Sequence, residues 1–331
     1  MDWFENITGF KEARYEETQR RLVFREGHLV STGGTAWSIG SLEIPSLADL
    51  RAQAGSSTTG RGPIRVRCVA ADVRALHAQA ENRDALFQVA SQFNLLEMVG
   101  PEVTPEHAVT RYQHDHTQGP VCAIAAGAAT IYRNYGVPLA AKHGQRAEAQ
   151  IDCLTDLGRA LASDGAPLWE LRNGYALCTR EGLQSIDRQL EILDEEGRDA
   201  LRGQLRIGLH WRVDVTDQPE PGHRVSQAFC SALPVAYSGI PARHWAGFAS
   251  LVLEAAYEAT LLAAVINRAE GGSDRVFLTR LGGGAFGNDD AWIESAIRRA
   301  LERMRDADLD VRLVSYMSVP PELASLAHEF S

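Results

Sequence analysis

The chain has 331 residues, 45% of them hydrophobic and 23% charged, with 33 Lys and Arg against 43 Asp and Glu and a formal net charge of −10. Such a composition supports a sizeable core and excludes disorder, collagen and coiled coil. With no dense cluster of Lys or Arg, it also argues against a nucleic-acid partner, although backbone N–H groups at helix starts can still hold a small anion.

The amino terminus, Met1-Asp2-Trp3-Phe4-Glu5, has neither a basic n-region nor an apolar h-region, so no secretory signal is expected and a cytoplasmic location is. Residues 55–63 and 218–222 read as loops, and neither is long enough to tether separate domains. Residues 64–69 (Ile-Arg-Val-Arg-Cys-Val) alternate with the period of a strand, Asp72 follows directly, and residues 72–79 read as a short helix or turn. A buried strand is predicted over 85–90. A polar loop then leads to Pro120, placed for the first turn of a helix that runs to about Tyr135 with Gly119 as its N-cap. Signals weaken between 140 and 240. There Asn173-Gly174 inside residues 168–178 predicts a hairpin, and residues 205–215 predict a strand.

The last third is the clearest. Phe248, Leu251, Val252, Ala255, Ala259, Leu262, Ala263 and Ile266 recur at helical spacing, with Gly271-Gly272 as the stop. Glu254 and Glu258 interrupt this stretch, so no membrane span is expected. Strand (276–278), glycine loop (282–284), helix (293–304) and strand (311–314) make a crossover unit, which implies parallel pairing. The pattern predicts one mixed α/β domain over 61–331, an amino-terminal extension over 1–60 packed on it, and an insertion at about 140–240. The five cysteines, odd in number and widely spaced, match neither structural zinc nor a disulfide framework.

In open α/β sheets, ligands lodge beyond the carboxyl ends of strands. Three loops meet that condition: residues 70–73, residues 91–119 and residues 280–288. In the last, Gly282, Gly283, Gly284 and Gly287 precede a helix start. They either form a tight turn or bring backbone N–H groups close to phosphate. Gly119-Pro120 offers a second helix start, and two such ends on one cleft suit a diphosphate. Asp115 stands among Tyr112, Gln113, His114, His116, Thr117 and Gln118, either capping a helix or held beside an electrophilic carbon. His114 and His116 would be a thin metal site, and no metal or other cofactor is expected. Asp289 and Asp290 either cap the following helix or act on the ligand, and Asp72 either caps a helix or accepts an exocyclic amine.

These loops, in this order, resemble a macrodomain, the three-layer α/β/α module that binds ADP-ribose. Residues 69–76 (Val-Ala-Ala-Asp-Val-Arg-Ala-Leu) are similar to the family's Gly-Asp-Ile-x-x-Leu, residues 87–94 to its Val-Asn-Ala-Ala-Asn stretch, and residues 282–287 to its Ser/Thr-x-Gly-x-Phe-Gly loop. The family's Gly-Gly-Gly-Val-Asp loop is absent. No Gly-Gly-Gly followed by Gln-Glu-Glu is present either, so the resemblance does not extend to polymer cleavage. Residues 110–120, with Gln92-Phe93-Asn94, look most like the divergent, poly(ADP-ribose) glycohydrolase-like branch that removes ADP-ribose from arginine, including arginine on ubiquitin, as in MavL-like hydrolases. The resemblance implies an ADP-ribosylhydrolase acting on ADP-ribosylated protein. Asp72 with Val73 would hold adenine, and Gln92 and Asn94 the distal ribose. Thr117, Gln118, Gly119 and the loop Gly283, Gly284, Ala285, Phe286, Gly287 and Asn288 would surround the diphosphate and ribose. Asp115 would be the catalytic carboxylate, with Asp290 and, after it, Asp289 on a ribose hydroxyl or the departing guanidinium. A non-catalytic ADP-ribose reader and a metal-dependent nucleotide phosphohydrolase are the alternatives.

Overall fold

The computed structural model describes residues 1–56, 62–139, 142–162, 167–217 and 222–330; most of the loops expected at 55–63 and 218–222 lies outside them. Seven strands form the central sheet: β1 (Ser41–Glu43), β2 (Arg65–Ala70), β3 (Leu86–Ala90), β4 (Gly208–Asp214), β5 (Arg224–Cys230), β6 (Arg275–Leu278) and β7 (Asp310–Ser315). Their spatial order is β1-β4-β5-β3-β6-β7-β2. From β5 to β2 every pairing is parallel, whereas β4 runs antiparallel to both β5 and β1. The sheet is therefore mixed, and the predicted α/β/α class holds.

Alternation along β3 and β5 shows how the faces are covered. The Phe87 ring stacks on His77 of the helix Val73–Ala78, while its neighbour Gln88 donates from Nε2 to Thr260 Oγ1 in the helix Ala246–Ala269. Gln227 reaches His77 and the Cys122 carbonyl, and Cys230, three residues on, meets Thr260. Successive side chains of a strand point to opposite faces, so these two helices cover opposite sides of one sheet. The helix Ala246–Ala269 is long and apolar enough to cross a membrane by length and composition alone, yet 83% of its most apolar window is buried inside the protein. Glu254 and Glu258 bind arginines of neighbouring helices.

Two sequence expectations change here. The helix predicted from Pro120 to Tyr135 is two helices, Gln118–Ala125 and Gly127–Tyr135, broken at Ala126 (φ −116°, ψ 55°). The Thr216 hydroxyl accepts the Gly127 N–H and donates to the Ile124 carbonyl at the break. Its N-cap is Thr117, not Gly119. Gly119 lies inside the first turn, where a Cβ would stand 2.0 Å from the Ala90 carbonyl oxygen, so glycine alone allows this helix to abut the end of β3. The stretch expected as an insertion, 140–240, supplies β4 and β5 to the main sheet, along with the hairpin Trp169–Arg172 and Tyr175–Cys178. The amino-terminal segment builds a second apolar cluster, in which Phe4, Phe10, Leu29 and Trp37 pack with Leu96, Met98 and Tyr112 of the loop after β3.

Candidate functional site

Because β2, β3, β5, β6 and β7 are parallel, their carboxyl ends share one edge, and the loops leaving that edge enclose two adjoining chambers. One, of about 230 Å³, is lined by Ser91, Gln92, Glu97, Asp115, Thr117, Gly119, Tyr175, Tyr237 and the glycine loop. The other, of about 320 Å³, is lined by Ala71, Asp72, Val73, His116, Tyr316 and neighbours. Gln118, Thr279 and Arg280 border both, so the chambers form one cleft with a waist. The two glycine segments at 119 and 284 face the same chamber.

The structure separates the sequence candidates by task. Asp115, half-buried, accepts the Thr117 N–H at 2.9 Å and the Thr117 hydroxyl at 2.7 Å through Oδ1, which fixes the carboxylate at the chamber wall. Asp72 caps the helix Val73–Ala78 through Oδ1 and is exposed at the second chamber. Gln118 lines the waist, but its amide accepts the Ala90 N–H and donates to the Gln88 carbonyl, extending the end of β3.

Gln92 reaches the chamber while its Oε1 accepts the Met98 N–H. Asn94 does not reach it: fully buried, it accepts the Leu96 N–H and donates to Gln150. Both knit the loop 92–98, in which Leu95 takes a left-handed φ of 64°.

From the glycine loop, Gly282, Gly284, Ala285 and Phe286 line the chamber. Gly283, Gly287 and Asn288 spend their N–H groups on the Arg280, Gly284 and Gly282 carbonyls, and Asn288 is buried against the Leu233 carbonyl. Their part is to shape the loop. Asp289 caps the helix Asp290–Arg303, accepting the Ala291 N–H at 2.9 Å. Asp290 pairs with Arg280. Neither aspartate borders the chamber.

Glu97 is the residue that sequence reasoning missed. It is 2% exposed, lines the first chamber, and neither carboxyl oxygen has a hydrogen-bond partner among the described residues. Burial pushes its carboxyl up to about 8, against the pull of the Arg133 charge and with a push from Asp115. The loop holds it tightly: its N–H donates to the Tyr112 hydroxyl at 3.1 Å, and Tyr112 is itself fully buried. From the amino-terminal segment, Glu12 accepts the N–H groups of Val109 and Thr110 and the Tyr135 hydroxyl, anchoring the stretch that carries Tyr112 and Asp115. The sequence signal for Glu97 was a lone acid inside Leu95-Leu96-Glu97-Met98, where the apolar flanks announce burial.

Tyr175 and Tyr237 close the 172–175 and 227–237 segments, which the sequence leaves open between a wall of the cleft and a structural insertion; with Phe286 they form an aromatic wall with ring centroids 5.2–5.6 Å apart. Tyr175 comes from the Asn173-Gly174 hairpin, donating to the Met98 carbonyl at 2.6 Å and so tying that hairpin to the Glu97 loop. Among the described residues, no three His, Cys, Asp or Glu side chains stand together as a metal site. His114 bonds to Gln113, while His116 borders the second chamber.

What the arrangement offers chemically is a buried carboxyl, Glu97, that holds its proton, and a second carboxyl, Asp115, on the same chamber, beside a backbone loop that can cradle anionic oxygens.

No protein-family model matches the chain. No curated protein matches it either. Among solved structures, it is similar to a mutant poly(ADP-ribose) glycohydrolase from Deinococcus radiodurans in complex with ADP-ribose, at 13% identity and a TM-score of 0.46, covering 86% of this chain and 91% of that one. It is also similar to the poly(ADP-ribose) glycohydrolase from Thermomonospora curvata, at 13% identity and a TM-score of 0.44, covering 96% of each chain. The same enzyme bound to the inhibitor ADP-HPD matches at 14% identity, a TM-score of 0.42 and the same coverage.

Proposed function

We propose that the protein is an ADP-ribosylhydrolase that removes mono-ADP-ribose from protein side chains by cleaving the glycosidic bond at the distal ribose, with arginine, including arginine on ubiquitin, as the acceptor. The observation that carries this reading is Glu97, a buried carboxyl whose oxygens have no hydrogen-bond partner among the described residues, on the same chamber as Asp115 and the glycine loop. Evicting that carboxyl from water is costly, and a pure binding cleft gains nothing from it. The resemblance of residues 69–76, 87–94 and 282–287 to macrodomain motifs supplies the ligand class, and residues 110–120 supply the arginine preference.

The two carboxyls take different roles. Adenine enters the second chamber against Asp72, the diphosphate crosses the waist over residues 282–286, and the distal ribose meets Glu97 and Asp115. As the bond from the anomeric carbon to the guanidinium nitrogen breaks, positive charge grows on the sugar, and ionised Asp115 stabilises it. Water attacks the anomeric carbon and gives its proton to Asp115. The departing nitrogen keeps the bonding pair and takes the proton held by Glu97, and the two carboxyls re-equilibrate with solvent.

The test is to incubate the protein with an arginine-linked ADP-ribosyl protein and measure free ADP-ribose. Release by the wild type is expected. Asp115→Ala should slow it by at least about two orders of magnitude with little change in ADP-ribose affinity. Tight ADP-ribose binding without release would make the protein a reader, and no binding at all would end the proposal.

A further inference from the structure

Arg280 is the one Lys or Arg among the described residues that line the cleft, and it stands at the waist, bordering both chambers just before the glycine loop. Two aspartates, Asp72 and Asp115, border the same cleft in a protein of net charge −10. An anionic ligand crossing that waist meets an unfavourable field unless a cation stands beside it. Arg280 is paired with Asp290, which lies outside the cleft and whose side chain is 62% exposed. An ion pair this open to water contributes little and exchanges readily.

A guanidinium prefers the denser charge and paired oxygens of a phosphate, which it can grip with two parallel hydrogen bonds. We infer that Arg280 is a phosphate clamp held in reserve: Asp290 holds it at the waist, and a diphosphate draws it away. Asp290 thereby acts as a competing anion that tunes affinity. It takes no part in the chemistry. This inference rests on the reading of the cleft as a diphosphate-sugar site and adds a specificity-determining residue to it.

The two members of the pair make opposite predictions, which a purely structural ion pair does not. In calorimetric titrations of the full chain with ADP-ribose, Arg280→Gln should weaken binding by about tenfold or more. Asp290→Asn should leave the affinity unchanged or tighten it by a few-fold. Adenosine, which has no phosphate, should bind wild type and both variants alike. Arg280→Lys should recover part of the loss, as a point charge without the fork. Equal ADP-ribose affinity in wild type and Arg280→Gln overturns the clamp and leaves the hydrolase reading intact. Equal weakening by Arg280→Gln and Asp290→Asn, with matched losses in melting temperature, makes the pair structural. A wild type that binds no ADP-ribose removes both readings together.

Discussion

Two glutamates lie equally deep in this protein and live in opposite states. Glu258, on the long helix Ala246–Ala269, is bound by Arg51 and Arg299 at 2.6 and 2.7 Å and by Arg303 at 3.1 Å. Burial pushes its carboxyl up, but the hydrogen bonds from Arg51 and Arg299 and the charges of Arg51 and Arg303 outweigh that push and hold it below the usual range. Glu97, as little exposed, has a carboxyl with no hydrogen-bond partner among the described residues; the Arg133 guanidinium is spent on the Leu95 carbonyl, Thr130 and His210, stacked over Phe229. Depth alone therefore says nothing about role. The partners decide, and a buried acid without them is poised to hand over a proton, whereas one with three arginines is mortar between helices.

The largest effect should come from cutting at Glu97. Glu97→Gln keeps the shape and removes the proton to be donated, so release of ADP-ribose should fall by about two to four orders of magnitude. The melting temperature should hold or rise, because the variant has no carboxylate to desolvate. A fall in stability to match the fall in rate would reduce Glu97 to an ordinary core residue and erase the contrast with Glu258.

The mirror experiment is Glu258→Gln. It leaves Arg51, Arg299 and Arg303 around a neutral side chain, and removing one partner of such a buried cluster costs about 3–5 kcal/mol. Denaturant unfolding reads that loss directly. The rate per folded molecule should not change, since Arg51, Glu258, Arg299 and Arg303 border neither chamber.

The same pair should separate along the pH axis. In the folded state, Glu97 keeps its proton up to about 8, whereas the unfolded chain releases it in the ordinary carboxylate range. Its contribution to stability is thus complete at acid pH and is lost as pH rises through that window. Glu258 is depressed, so its contribution is present at neutral pH and is lost as pH falls through its lowered value. Urea midpoints from pH 3 to 9 should lose, in Glu97→Gln, the decline that runs from the ordinary carboxylate range up to about pH 8, and the decline on the acid side of that range should lessen in Glu258→Gln. In the wild type, kcat/KM should fall above about pH 8 as the donor ionises.

How much of this was legible in the sequence follows from the range over which each signal acts. Strands β2 and β3, the helix after Asp72, the Asn173-Gly174 hairpin and the whole crossover from residue 248 to 314 announce themselves through local period and punctuation. Asp115, Thr117 and Gly119 reach the cleft as the loop position implied. Glu97 has only a weak local signal, its apolar flanks Leu95, Leu96 and Met98, set against the ordinary solvated reading of an acid in a loop; nothing local shows that its carboxyl lines a chamber. Tyr175 and Tyr237 arrive from segments far along the chain, which no local pattern can join. Arg280 is a single cation in an acidic chain, and whole-chain charge carries no information on local charge. The break at Ala126 depends on the hydroxyl of Thr216, about ninety residues away, so nothing between 118 and 135 signals it.

The smallest effect tests the boundary of the site. Asp289 had two sequence roles, as cap or as reactive acid, and the structure gives it the geometry of a cap: extended backbone at φ −65° and ψ 136°, with its Oδ1 accepting the Ala291 N–H. Asp289→Ala should therefore cost about 0.5–2 kcal/mol of stability, as lost caps do. It should leave kcat unchanged, because the side chain points along the helix Asp290–Arg303 and does not border the chamber that holds Glu97. Asp289→Asn, which can still accept that N–H, should restore most of the lost stability. A fall in kcat that Asn fails to rescue would mean that Asp289 acts as a charged group on substrate, and the site would then extend past the glycine loop onto the helix behind it.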